Sequence, residues 1–208
     1  MPNFILFLGI VTAYLIGSIP TGYIFCRVLK GVDIREFGSG NVGATNVFRV
    51  VGRLPGILVL AIDILKGFAC ATYIASFFLY ISPAARPELY RVFAGLATIA
   101  GHNWTVFLKF RGGKGVATSA GVVISLIPKI FWLGFLVWTI VFSVTGYISV
   151  ASIIASISIP LFTLVFSEPA EIVIFMSILC LVIVYKHRSN IKRLQDGEEK
   201  RISLFKRR

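Results

Sequence analysis

The chain has 208 residues, 57% of them hydrophobic and 14% charged, with 21 Lys and Arg against 9 Asp and Glu for a net charge of +12. A soluble domain carries about a quarter charged residues, so this chain has too little polar surface to wrap a water-soluble core. Spans of about 20 residues use most of its length and exclude a separate soluble catalytic domain.

In chain order, apolar segments run over about 4–29, 54–81, 89–101, 116–128, 130–145, 147–166 and 170–185. The first has no basic leader and no small-residue cleavage site, so we expect a retained span and not a signal peptide. The stretch 116–145 is ambiguous. As one helix it would be about 45 Å long against a core of ~30 Å, so a break is expected at Pro128-Lys129. The basic residues give a check on parity, because five lie between Arg27 and Arg53, three between Lys109 and Lys114, and nine between Lys186 and Arg208. Under the positive-inside rule, loops 30–53 and 102–115 and the tail 186–208 share the cytoplasmic side. Two spans then separate the loops, and four separate the second loop from the tail. The expectation is an all-α integral membrane protein forming a single polytopic domain over 1–208. It has seven transmembrane helices, several of them short, with the N-terminus outside and the C-terminus cytoplasmic. Orientation and contact with anionic lipid account for the positive charge, and nucleic acid is not an expected partner. Cys26, Cys70 and Cys180 sit in or beside apolar runs without metal-type spacing, and read as packing residues.

Three polar segments fall on the cytoplasmic side. In the first, Gly38, Gly40 and Gly43 spell G-x-G-x-x-G. Charged residues precede it and no βαβ unit surrounds it, so a dinucleotide site is excluded. Two readings stay open. The glycines expose backbone N–H groups to an anion, with Ser39 and Arg49 as added donors; or this is a tight interfacial turn with Arg49 snorkelling to lipid headgroups. In the second, Gly115 stands where a Walker A loop needs Ser or Thr, and the upstream glycine spacing is wrong, so no nucleotide site follows. Gly112, Gly113 and Gly115 directly precede a helical span and are flanked by Lys109, Arg111 and Lys114. That arrangement is a phosphate site in physical terms, against the plainer reading of a positive-inside loop with glycine turns.

In the third segment His187 and Asn190, three apart, share one helix face. The two histidines of the chain, His102 and His187, both fall in these segments, and without cysteine or carboxylate neighbours they make no metal site. Asp63 and Lys66 are charges within an apolar span, three residues apart and followed by Gly67. Such charges are functional by default, although a self-neutralising pair is the favoured reading.

Taken together, GSGNVGATNVFR (Gly38–Arg49), GHNWTVFLKFRGGKGVAT (Gly101–Thr118) and HRSNIKRL (His187–Leu194) resemble the three signature segments of the bacterial acyl-phosphate-dependent glycerol-3-phosphate acyltransferases, the PlsY family. DILKG at Asp63–Gly67 fits the same family. Thr105 departs from it, where proline is common, and little consequence is expected. The resemblance implies transfer of a fatty acyl group from acyl phosphate to the 1-hydroxyl of sn-glycerol 3-phosphate, giving lysophosphatidate and inorganic phosphate. It implies catalytic roles for Ser39, Arg49, His187 and Asn190. It implies substrate contacts from Gly38, Gly40, Asn41, Thr45, Asn46, His102, Lys109, Arg111, Gly112, Gly113, Lys114 and Gly115.

Expected partners are glycerol 3-phosphate, acyl phosphate and membrane lipids, and the expected location is the bacterial cytoplasmic membrane with the site on its cytoplasmic side. Acyl phosphate is an activated mixed anhydride, so neither metal nor cofactor is expected. The acyltransferase class built on His, four residues, then Asp does not apply, because Phe107 follows His102 at that spacing and Lys192 follows His187. A covalent acyl-Ser39 lacks a supporting Ser-His-acid arrangement. The alternative in another class is a small transporter whose anion loops gate a phosphorylated solute.

Overall fold

Helices account for every regular element among residues 2–201, which a computed structural model of the chain describes. The chain divides into two compact units, residues 1–126 and 127–208.

In the first unit, the apolar run at the N-terminus is not one helix. Helix α1 (Pro2–Ser18) and helix α2 (Thr21–Lys30) are separated at Ile19-Pro20. Proline supplies no N–H to the helix ladder and pushes the residue before it out of the helical region. Gly31, left-handed at φ 69°, stops α2 with its N–H on the Arg27 carbonyl. Helix α3 (Ala44–Val50) and helix α4 (Arg53–Ala69) follow, and a π turn at Cys70–Ile74 carries α4 into α5 (Ala75–Ile81). Helix α6 (Pro87–Asn103) and helix α7 (Val116–Leu126) flank the second polar segment.

Helix α1 packs on α6, and α4 on α7. Each contact is closed by a glycine on both partners: a methyl at Gly17, Gly101, Gly67 or Gly121 would overlap the Thr98, Tyr14, Thr118 or Ile64 carbonyl respectively. Lipid gives helices no hydrophobic drive to associate, so close backbone approach through small residues has to supply it. A core of Cys26, Ile34, Val42, Val47, Val59 and Leu108 ties α2, α3 and α4 to both polar segments of this unit.

The second unit holds α8 (Pro128–Thr145), α9 (Ile148–Val165), α10 (Ala170–Lys186) and α11 (Arg188–Gln195). Residues 116–145 are two helices, and the break falls at Ile127, one residue before the expected place. Pro128 opens α8 because a first-turn proline has no hydrogen bond to lose. Helix α9 packs against both α8 and α10. Trp138 stacks on Phe135 and Phe142, and its ring N–H donates to Ser152 Oγ at 3.2 Å.

Among the described residues, Asn3–Lys30, Arg53–Ile81, Pro128–Thr145 and Ile148–Val165 are long and apolar enough to cross a membrane. Ala170–Lys186 with Arg188–Gln195, bent by 51°, makes a fifth if the pair is one span. Every expected apolar run is helical. However, α6 with 17 residues and α7 with 11 extend about 25 Å and 16 Å, short of a core of ~30 Å. This is a multi-pass membrane protein.

Candidate active site

The first polar segment is wound around one buried amide. Asn46, on α3, is 2% exposed. Its Nδ2 donates to the Phe37 and Asn41 carbonyls at 2.9 Å each, and its Oδ1 accepts the Ser39 N–H at 2.9 Å. Gly38 turns the chain at φ 63°, and a methyl there would overlap Asn46 Oδ1, so no other residue fits. Asn41 Oδ1 accepts the Gly43 N–H at 2.8 Å. Asn46 and Asn41 therefore shape this loop from within. With the Ser39 N–H committed to Asn46, the exposed tip presents the Ser39 side chain, and the last turn of α3 presents Arg49. Thr45 is half-buried and Gly40 exposed. Just upstream, the Arg35 guanidinium hydrogen-bonds Asp33 and holds its carboxyl at about 2.

The second segment is fastened to α1 and to the end of α6. Thr105, 1% exposed, donates its hydroxyl to the Ser18 carbonyl and accepts the Phe107 N–H at 3.3 Å. Its own carbonyl takes the Phe110 N–H at 2.8 Å. Its φ of −68° suits proline, but proline would drop both hydroxyl bonds. The departure from the family pattern is therefore a structural tether, not the neutral change expected from sequence. Thr105→Val should cost about 1–3 kcal/mol, the usual cost of stranding buried hydrogen-bonding groups. It should read as a lower melting temperature in detergent; an unchanged melt would remove the tether.

Beyond it, Lys109 and Phe110 are both left-handed, at φ 53° and 61°, a conformation few non-glycine residues hold. Lys109 and Arg111 are exposed and Lys114 is half-buried.

The glycines of this segment lie on α6. A methyl at Gly112 would overlap the His102 carbonyl, one at Gly113 the His102 ring, and Gly115 (φ 81°) backs onto the Asn103 side chain. The Gly113 N–H donates to the His102 carbonyl at 2.9 Å. Gly113 therefore spends its N–H within the fold. The loop does lead directly into α7 at Val116, which places Lys114 beside a helix N-terminus.

His102, given a substrate contact by the resemblance, lies in the last turn of α6. It is 8% exposed, and its Nδ1 lies 3.0 Å from Lys66 Nζ and 3.7 Å from Asp63 Oδ1. Lys66 Nζ is 2.8 Å from Asp63 Oδ1, and Thr21 Oγ1 donates to the same oxygen at 3.1 Å. The ring faces this buried ion pair, so His102 belongs under the glycine loop.

In the second unit, His187 links α10 to α11 and is 3% exposed. Its Nδ1 is 2.8 Å from the Ile183 carbonyl. A carbonyl only accepts, so Nδ1 carries the proton, and Nε2 of the neutral ring is the acceptor nitrogen. Asn190 Nδ2 donates to Glu199 Oε1 at 2.6 Å. Ser149 Oγ donates to the same oxygen at 2.9 Å, and Arg193 Nε to Oε2 at 2.8 Å. Burial pushes the Glu199 carboxyl up, but the hydrogen bonds from Asn190, Arg193 and Ser149 outweigh it and hold it below its ordinary value.

Within the first unit, the buried core joins the segment carrying Ser39 and Arg49 to the one carrying Lys109–Gly115, through Leu108 packed with Ile34, Val42 and Val47. Asn190, three residues after His187, forms a second constellation with Glu199, Ser149 and Arg193. Sequence reasoning gave no role to Glu199, Ser149, Arg193 or Thr21, although Arg193 lies inside the third segment and Glu199 just beyond it.

A family model described as "Glycerol-3-phosphate acyltransferase" matches residues 7–197. The glycerol-3-phosphate acyltransferase 2 of Moorella thermoacetica is 42% identical over 195 residues, covering 94% of this chain and 96% of its own. The glycerol-3-phosphate acyltransferase of Desulforamulus reducens is 39% identical over 197 residues, covering 95% of each. Two crystal structures of PlsY, an integral membrane glycerol 3-phosphate acyltransferase, superpose on this chain. The glycerol 3-phosphate form does so with a TM-score of 0.85 and 41% identity, over 95% of this chain and 96% of its own. The lysophosphatidic acid form has a TM-score of 0.82 and 40% identity, over 95% of each chain.

Proposed function

The chain belongs to the glycerol-3-phosphate acyltransferase family, and from that premise we propose that it transfers a fatty acyl group from acyl phosphate to the 1-hydroxyl of sn-glycerol 3-phosphate. One observation carries this reading. A relative crystallised in a glycerol 3-phosphate form and in a lysophosphatidic acid form matches 95% of this chain. Acceptor and product of the proposed reaction are those two molecules.

In the proposed step, the 1-hydroxyl oxygen attacks the acyl carbon. The bond from that carbon to the phosphate oxygen breaks, and inorganic phosphate leaves as the lysophosphatidate ester forms. His187 Nε2 takes the hydroxyl proton, its ring oriented by the Nδ1 bond to Ile183. Ser39 and Arg49 hold the donor phosphate and stabilise the charge that grows on it as it leaves. The Gly112–Gly115 loop with Lys114 holds glycerol 3-phosphate, with Lys109 and Arg111 drawing anions to it. Asn190, fixed by Glu199, orients the reactants. Catalysis here is positioning and electrostatics; the mixed anhydride supplies the activation, and no metal or cofactor is called for. The positive-inside rule applied to the three basic segments supports chemistry on the cytoplasmic side of a bacterial cytoplasmic membrane, with the N-terminus outside and the seven apolar runs as its spans.

Two measurements test the assignment. Acyl phosphate should support transfer in purified protein where acyl-CoA does not, with one phosphate released per acyl group; equal use of acyl-CoA would overturn the donor. Arg49→Ala should lower transfer about 100-fold, the usual loss of one charge-stabilising donor, in protein that remains monodisperse. An unchanged rate would remove Arg49 from the site.

A further inference from the structure

Lys66 on α4 is 8% exposed, and three acceptors surround its ammonium: Asp63 Oδ1 at 2.8 Å, the Ile19 carbonyl at 3.2 Å and His102 Nδ1 at 3.0 Å. The step between α1 and α2 at Pro20 turns the Ile19 carbonyl toward it. A self-neutralising pair needs only the first contact. The other two are specific, and one has a chemical consequence. An ammonium has three protons to donate and nothing to accept with, and Asp63 Oδ1 is paired with it at 2.8 Å. His102 Nδ1 must therefore be the unprotonated nitrogen, and the ring proton sits on Nε2. That Nε2 edge is where Gly113 lies, close enough that a methyl group would not fit, while the His102 carbonyl takes the Gly113 N–H and lies against Gly112.

The geometry points to Lys66 as a positioning residue. Through its bond to Nδ1 it locks His102 as the neutral Nε2–H tautomer, and this ring is the platform on which the Gly112–Gly115 loop takes its phosphate-binding shape. The proposal rests on the reading that this loop binds the phosphate of glycerol 3-phosphate. It gives Asp63 and Thr21 supporting parts, since Asp63 holds the ammonium in place and Thr21 Oγ1 bonds the same carboxylate oxygen at 3.1 Å. It also gives the two histidines of the chain opposite tautomers, Nε2–H for His102 and Nδ1–H for His187.

The first test needs no change to Lys66. Protein labelled with nitrogen-15 at histidine gives two ring systems, and loss of one in His187→Gln assigns the other. At neutral pH, His102 should show a protonated Nε2 and a bare Nδ1; a protonated Nδ1 overturns the proposal. The second test is kinetic. Asp63→Asn combined with Lys66→Met removes both charges together, which leaves no unpaired ion in the core. This pair should raise KM for glycerol 3-phosphate at least about tenfold while kcat stays within about twofold, the signature of lost binding that is uniform along the reaction. Lys66→Arg, which keeps a donor toward Nδ1, should recover part of that loss. An unchanged KM in well-folded doubly substituted protein shows a self-neutralising pair and nothing more. If that variant does not fold, the tautomer of the wild-type ring decides. Failure of the functional reading looks different: the wild-type protein would neither bind glycerol 3-phosphate nor transfer acyl groups, whatever the tautomer.

Discussion

His187→Gln should lower acyl transfer by about 10²–10⁴-fold, the range for losing a positioned general base, with little change in melting temperature. The expectation comes from the ring's geometry. The Ile183 carbonyl at 2.8 Å fixes the proton on Nδ1, so the neutral imidazole turns a basic nitrogen to the opposite edge. Glutamine fills similar space and can still donate to Ile183, but no part of an amide accepts a proton near neutral pH. The loss should therefore appear in kcat and not in stability. A variant within about tenfold of wild type would move the base to a phosphate oxygen of the substrate, leaving His187 as a hydrogen-bond partner only.

Glu199→Ala should destabilise the second unit by about 2–4 kcal/mol and take activity with it. One carboxylate there accepts from Asn190, Ser149 and Arg193. Deleting it strands an amide and a guanidinium in a largely buried place, where charged hydrogen bonds are worth about 1.5–3 kcal/mol each. Arg193 keeps some access to water, which trims the cost. Asn190 would lose its orientation even in molecules that stay folded. The same clamp has a pH signature. Glu199 is held below its ordinary value, so its stabilisation is complete above that value, about 4.3. It fades as pH falls through the lower value of the folded state. Wild-type melting temperature should drop below about pH 5 more steeply than that of Glu199→Gln, in which the titrating group is gone. Parallel curves would show that Glu199 does not act as an ionised acceptor.

Much of this architecture was legible in the sequence, and the misses share a cause. Apolar runs located every helix of the transmembrane region, because burial in lipid leaves an unmistakable composition. The step at Pro20 was readable from proline chemistry, yet the run around it carries no charged residue from Pro2 to Cys26, which hid the break. Ser39, Arg49, Lys114, His187 and Asn190 were picked out because they sit in polar, basic segments between apolar runs. What the sequence could not give was which side chains face inward. His102 was read from its place beside a glycine-rich basic loop, and the spacing held no sign that its ring turns to Lys66, 36 residues away along the chain. Asn46 looked like a substrate contact, and its side chain is committed to Phe37, Asn41 and Ser39. Such partners are separated in sequence and leave no spacing pattern. Thr105 was misjudged for the same reason, since its bond to Ser18 spans 87 residues.

The most direct measurement is acyl transfer by purified protein in detergent, using palmitoyl phosphate and radiolabelled glycerol 3-phosphate, with no metal, nucleotide or coenzyme A added. The expected result is labelled lysophosphatidate, formed together with an equal amount of inorganic phosphate. Monodisperse protein that binds glycerol 3-phosphate but forms no product, and carries the label into sealed vesicles instead, would contradict the acyltransferase and identify a transporter.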